Sequence, residues 1–297
     1  DLVLSTVLTE SGKSFVYLGY GDIAGVMQHT QKDGWGGGHN NYDWGNSNSW
    51  GGYYDILRNN RFVYDKSSAK GYDGRTGVSM VMKSLIFGLI TDLWGDAPYS
   101  QAVKGDIGGN ENTFPVFDSQ ENIYDSILAN LEIANEFLSK PEYAEASMGS
   151  ADVYYQGDLQ KWRKFANSLA LRYYMRLSEK SPAKARAGIE KIAGNPTQYP
   201  IITDASDDAT MSFPGNSDPD SWPAYAIPQS DSSNYRRIKM CNPLVTEMLR
   251  VNDPRIEVWG ERVKVSILLD PSLSGSVNRT VDTVIDGETR TVRVVSN

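Results

Sequence analysis

The stretch VSMVMKSLIFGLITDLWGDAPY, Val78 to Tyr99, constrains this chain more than any other. Val78, Val81, Met82, Leu85, Ile86, Leu89, Ile90 and Leu93 recur at i, i+3, i+4 and i+7, the period that keeps one face of an α-helix against a core. Met80 and Phe87 add apolar surface on a second side, so the helix is expected to lie between layers. Gly95 supplies a stop, and Pro98 prevents the helix from resuming. Crossing a bilayer takes about 20 apolar residues. The stretch reads as too short for that and carries Lys83 and Asp92, so it is expected to be a core helix.

Around this helix, 297 residues can form one large domain or two ordinary ones, each with a sizeable core. The net charge is -8, with 37 acidic against 29 basic residues and no block of Lys or Arg, so nucleic acid is not an expected partner. The single cysteine, Cys241, excludes an internal disulfide framework and a thiolate-based zinc site. The opening DLVLSTVLTESGKSF has no basic n-region, long apolar stretch or small-residue cleavage site, so no signal peptide is legible in it. Seven Trp and 17 Tyr against 8 Phe favour flat rings with a polar handle, as sugar or peptide contact requires.

Residues 13–28 place Phe15, Leu18, Ile23, Val26 and Met27 at near-helical spacing, diluted by Gly12, Gly19, Gly21 and Gly25, and predict a helix. Residues 32–49, KDGWGGGHNNYDWGNSNS, predict an irregular loop. A helix is expected from about Trp50, with Tyr53, Tyr54, Leu57 and Tyr64 on one side, ending before Gly71 to Gly74. After the central helix, Asp118 and Glu121 are spaced as a capping box for a helix striped by Ile123, Ile127, Leu128, Leu131 and Leu138 and closed by Pro141. Gly157 and Asp158 open a helix whose apolar face is Leu159, Trp162, Phe165, Leu169, Tyr173 and Leu177. Ser181 and Pro182 start a short Ala-rich helix ending at Gly194. The short connections imply two antiparallel helix pairs.

From 195 to 242 the chain is rich in Pro, Ser and Asp and reads as a long irregular excursion. A short helix from Pro243 to Arg250 precedes Asp253-Pro254-Arg255, and VDTVIDGETRTVRVV predicts a hairpin about Asp286-Gly287. The expected organisation is a single domain over 1–297: a helical scaffold over 13–194, the excursion over 195–242, and a short helix with a hairpin over 243–297. The final residues do not read as a domain terminus, and the natural chain is expected to continue.

Three ordered motifs carry a family resemblance: TDLWGDAPYS (Thr91 to Ser100) with PVFDSQENIYDSILANLEIANEFL (Pro115 to Leu138), then GDLQKWRKFANSLALRYYMR (Gly157 to Arg176), then Asp253-Pro254-Arg255. In these the chain resembles the SusD/RagB family of outer-membrane nutrient-binding lipoproteins, from about Asp22 to Arg255. The resemblance implies a mostly α fold of tetratricopeptide-like helix pairs with long irregular loops. It also implies lipid anchorage on the outer face of the outer membrane and a SusC-like TonB-dependent transporter as partner. The ligand would be an oligosaccharide, or a peptide, bound without chemistry. The family's lipid-bearing N-terminal cysteine has no counterpart here, since Cys241 is internal, and the family's C-terminal helix pairs are not seen in this sequence.

Sugars are held by rings against their C–H faces and by polar side chains that pair with hydroxyls. Trp35, His39, Asn40, Asn41, Tyr42, Asp43 and Trp44 offer both within ten residues, against the plain alternative of a glycine-rich loop whose rings tuck into the bundle. Trp222 and Tyr225 are a second candidate, stiffened by flanking prolines, against a proline-rich loop packed on the core. Asp92 and Asp96 invite a glycosidase reading, which needs two carboxyl groups about 5 to 9 Å apart across a sugar. The turn chemistry favours a structural role, with Asp96 and Gly95 shaping the helix exit over Trp94 and Tyr99. Asp204, Asp207, Asp208, Asp218 and Asp220 match no calcium loop, and no Walker loop or dinucleotide fingerprint is present, so no metal or cofactor is expected. Lys161, Arg163, Lys164, Arg172 and Arg176, spread around one helix, read as solvated or paired. A glycan-binding lipoprotein is the leading expectation; a glycoside hydrolase on a helical scaffold and a peptide- or protein-binding helical-repeat module are the alternatives.

Overall fold

A computed structural model describes residues 1–32, 40, 49–141, 146–215, 238–260, 266–270, 278–285 and 287–296. Its main helices are α1 (Leu2–Tyr17), α2 (Gly51–Ala69), α3 (Asp73–Trp94), α4 (Gln120–Leu138), α5 (Leu159–Arg176), α6 (Pro182–Gly194) and α7 (Asn242–Arg250). The strands are β1 (Thr30–Lys32), β2 (Ala97–Pro98), β3 (Phe117–Asp118), β4 (Ile238–Met240), β5 (Ser266–Asp270), β6 (Asn278–Ile285) and β7 (Glu288–Ser296). Two units divide the chain: Asp1–Ile23 with Asp43–Tyr235, and Ala24–Tyr42 with Arg236–Asn297.

In the first unit α3 occupies the centre, packed against α2, α4 and α5. Val78, Val81, Met82, Ile86 and Ile90 are buried on one side, and Met80 and Phe87 on the other, as the double apolar face predicts. At 22 residues α3 is long and apolar enough to cross a membrane, so the expectation that it is too short does not hold. Its burial identifies it as a core helix: 72% of its most apolar window is covered by protein. Gly95, at φ 76°, ends it; its N–H donates to the Thr91 carbonyl at 2.8 Å, and Thr91 Oγ1 donates to the Gly95 carbonyl at 2.7 Å. The three-residue link from α2 to α3 folds these helices back on each other, and α5 and α6 pack in the same way.

Close packing depends on glycine where helices cross. A Cβ at Gly88 would lie 2.0 Å from the hydroxyl of buried Tyr173 on α5, which donates to the Ser84 carbonyl at 3.1 Å. A Cβ at Gly188 on α6 would lie 2.3 Å from the ring of Tyr174. Ahead of α5, the buried carboxylate of Asp152 accepts from the backbone N–H groups of Tyr154, Tyr155 and Gly157 and from Trp162 Nε1, the last at 2.7 Å. That one side chain organises a loop and anchors the fully buried Trp162.

Four expectations shift. The first helix begins at Leu2, because Leu4, Val7, Leu8 and Ser11 form a buried stripe that the sequence reading left unassigned. Beyond Tyr17 it widens into a π-helix over Leu18–Ile23 and then resumes for one turn over Ala24–Val26. The α4 cap is Ser119, whose hydroxyl accepts from Asn122 N at 3.2 Å. Asp118 is occupied elsewhere: its Oδ2 accepts from Tyr99 N, Ser100 N and Ser100 Oγ, holding β3 antiparallel to β2. Tyr64 is exposed, since the packed side of α2 runs through Ile56, Leu57, Asn60, Val63 and Ser67. α5, by contrast, opens at Asp158 as expected, and the Asp158 side chain caps it, accepting from Gln160 N and Lys161 N.

In the second unit β1 pairs antiparallel with β4, Thr30 opposite Met240, and Cys241 N donates to the His29 carbonyl at 2.9 Å. α7 follows, as expected. β6 and β7 form the predicted hairpin, with Ile285 opposite Glu288 and Gly287 at φ 81°. Beyond the hairpin, β5 adds a third strand that no sequence pattern announces, parallel to β7 with Ser266 opposite Val292.

Candidate functional site

Where α3 ends, aromatic side chains from three elements converge. Trp50 precedes α2, and its carbonyl accepts from Tyr53 N and Tyr54 N, which places the residue at the helix start. Its ring centroid lies 5.9 Å from Trp94, 5.9 Å from Tyr54 and 5.6 Å from Phe117. Tyr53 meets Trp94 at 5.8 Å, Tyr54 meets Phe87 at 6.1 Å, and Phe87 meets Tyr99 at 4.6 Å. Most are edge-on contacts, which suit the ring quadrupoles. The Tyr54 hydroxyl donates to the Pro98 carbonyl at 2.6 Å, and Asn130 Nδ2 donates to the Tyr99 hydroxyl at 2.9 Å.

Burial raises the Tyr54 hydroxyl pKa well above the usual phenol value, and the Asp118 carboxylate adds to this; burial also raises that of Tyr99. Both phenols therefore stay neutral. Lys83 Nζ sits 5.0 Å from the Tyr99 ring centroid, its pKa lowered by burial and then by Lys104. The pile grades outward from Phe87, which is buried, through Trp50 and Trp94, which are half-buried, to Phe117, which is 61% exposed. Phe114, 76% exposed, and Val116 extend the apolar surface along the same segment. Rings of this kind offer stacking faces.

The carboxylates near this exit hold structure together. Asp92 accepts from the Tyr124 hydroxyl at 2.5 Å and is ion-paired with Arg176. Asp96 Oδ1 accepts from Gln120 N at 2.9 Å, tying the turn to the start of α4. Three further α5 cations are likewise engaged: Lys161 with the Ser206 carbonyl, Arg163 with Asn135 and the Gln198 carbonyl, and Lys164 with Asp207. Asp204 caps a turn through Ser206 N. Among the described residues no group of three or more His, Cys, Asp or Glu could hold a metal ion. A cavity between α4, α5 and α6, lined in part by Glu132, Asn167, Lys191 and Tyr199, measures 10 Å³, about the space of one water.

Of the candidate ligand residues, Asn40 is described, as a half-buried turn residue. Trp35, His39, Asn41, Tyr42, Asp43, Trp44, Trp222 and Tyr225 lie outside the described residues. Sequence reasoning placed Trp94 and Tyr99 beneath the helix exit but passed over Trp50 and Phe117. A ring directly before a helix start and another two residues after a proline were the available signals.

Residues 5–278 match the model of a SusD-like family described as starch-binding and associating with the outer membrane. A SusD homolog from Bacteroides fragilis NCTC 9343 shares the fold with a TM-score of 0.63 and 24% identity, covering 79% of this chain and 48% of its own. A SusD/RagB family protein from Bacteroides thetaiotaomicron gives a TM-score of 0.61 and 26% identity, covering 86% and 52%. A chitin-binding SusD homolog from Flavobacterium johnsoniae gives 0.63 and 22%, covering 86% and 52%. The chain thus spans about half the length of these solved structures. Curated proteins give no match.

Proposed function

Because this chain belongs to the SusD-like family of starch-binding, outer-membrane-associated proteins, we propose that it captures oligosaccharides at the cell surface and delivers them to a SusC-like TonB-dependent transporter. The family match over residues 5–278 is the observation that carries this reading. Solved structures of the same fold are described as chitin-binding, which supports a glycan as ligand. In the full-length protein a lipid anchor would hold the domain at the outer face of the outer membrane.

Trp35, Tyr42 and Trp44 would supply stacking faces, with His39, Asn40, Asn41 and Asp43 fixing hydroxyl orientation, and Trp222 and Tyr225 adding a second set. Binding proceeds without chemistry. The engagement of Asp92 with Tyr124 and Arg176, and of Asp96 with the α4 backbone, supports that, since a glycosidase acid must be free to reach a glycosidic oxygen.

Affinity electrophoresis through gels containing starch, chitin derivatives or plant and host polysaccharides tests the reading. Retardation by at least one polysaccharide, without release of reducing sugar, is expected. Reducing-sugar release abolished by Asp92→Asn or Asp96→Asn would instead establish a hydrolase. Co-purification with a large outer-membrane β-barrel tests the transporter partnership.

A further inference from the structure

In the second unit, α7 ends through Asn252, at φ 53°, and Asp253 N donates to the Met248 carbonyl at 2.8 Å. The chain then turns over Asp253-Pro254-Arg255 into a single helical turn, Ile256–Trp259. Arg255 is clamped by the carboxylate of Asp253: its Nε donates to both oxygens, at 2.9 and 3.0 Å, and its Nη2 donates to Oδ2. So held, the guanidinium carbon lies 4.7 Å from the ring centroid of Trp259, whose backbone N–H donates to the Arg255 carbonyl at 2.8 Å. Gly260 follows against Met240, where a Cβ would lie 2.8 Å from Sδ.

One face of the indole is thus covered by a fixed cation, yet Trp259 remains 55% exposed. Leu249, Val251 and Val258, on the same short segment, are also exposed, Val258 at 83%. Among the described residues neither Trp259 Nε1 nor Arg255 Nη1 has a hydrogen-bond partner. A stiff aromatic plane with N–H donors at its rim is the arrangement that receives a pyranose: C–H bonds lie on the ring and hydroxyls accept from the donors. Holding the ring in advance reduces the ordering cost of binding.

We infer that Trp259, backed by the Asp253-clamped Arg255, is a sugar-stacking platform of this protein, separate in sequence from the Trp35–Trp44 and Trp222–Tyr225 candidates. This rests on the glycan-binding reading above. The test uses the chain labelled with 5-fluorotryptophan, titrated with maltoheptaose and with chitohexaose and followed by fluorine resonance, the Trp259 signal being assigned as the one missing from Trp259→Phe. Saturable movement of that signal, with affinity reduced about tenfold in Trp259→Ala and partly retained in Trp259→Phe, is expected. A glycan that moves other tryptophan signals and leaves Trp259 still overturns the platform while the glycan reading stands; no signal moving with either sugar overturns the platform, and affinity electrophoresis then decides the wider reading. The wild-type titration needs no variant to fold, and an unchanged affinity in Trp259→Ala also overturns the inference.

Discussion

Single side chains determine how two loops of this molecule are held. Asp152 is buried, and its carboxylate takes four N–H donors from a loop and from Trp162. Replacing it with Ala strands those donors away from water and is expected to lower unfolding free energy by about 3 kcal/mol or more in a urea titration. Asp253 is a different case, a half-buried carboxylate whose pKa is lowered to about 2 by its bonds from Arg255. A carboxylate with a depressed folded-state pKa gives its full contribution above its ordinary value, 3.8, and loses it as pH falls toward about 2. The side-chain carboxyl resonance of Asp253 should therefore titrate near 2, and Arg255 should remain stacked on Trp259 throughout the neutral and mildly acidic range; a midpoint near 4 would show that the clamp is absent in solution.

At the scale of elements, the crossing of α3 with α5 turns on Gly88. Alanine favours a helix interior over glycine by about 1 kcal/mol, so propensity alone predicts that Gly88→Ala stabilises. The 2.0 Å approach to the Tyr173 hydroxyl reverses the sign, and a net loss of about 2 kcal/mol is expected by thermal or denaturant unfolding. Gly194→Ala, at a helix end with open space around it, serves as the control and should leave the midpoint nearly unchanged. Much of this architecture was legible in the sequence, because it depends on local period and punctuation. The stripes of α3, α4 and α5, the helix start at Asp158, the Gly95 stop and the Asp286-Gly287 hairpin all write themselves into a few adjacent residues. What escaped is non-local. Asp118 competes between a helix start and the backbone of Tyr99 and Ser100, and only the folded chain shows which wins. The parallel partner of β7 lies some twenty residues upstream with no turn to announce it. The role of Asp152 likewise has no sequence signature, since its donors come from positions 154, 155, 157 and 162 at no repeating interval.

For the molecule as a whole, the helical scaffold explains where side chains are spent on structure and where they remain available. Carboxylates and cations around the helix exits are tied to helix starts, turns and one another, while rings grade from the buried Phe87 out to the exposed Phe117. The family match and the paired helices are consistent with our proposal that the protein holds a glycan without transforming it. The candidate ligand residues rest on chemistry alone, rings interleaved with amides and carboxylates, because stacking geometry is not encoded by spacing. Isothermal titration calorimetry of the chain against a panel of defined oligosaccharides, run beside a panel of peptides, tests the central claim most directly. Saturable, glycan-selective binding with the sugar recovered intact is the predicted result; tight binding of a peptide with no affinity for any glycan would contradict it.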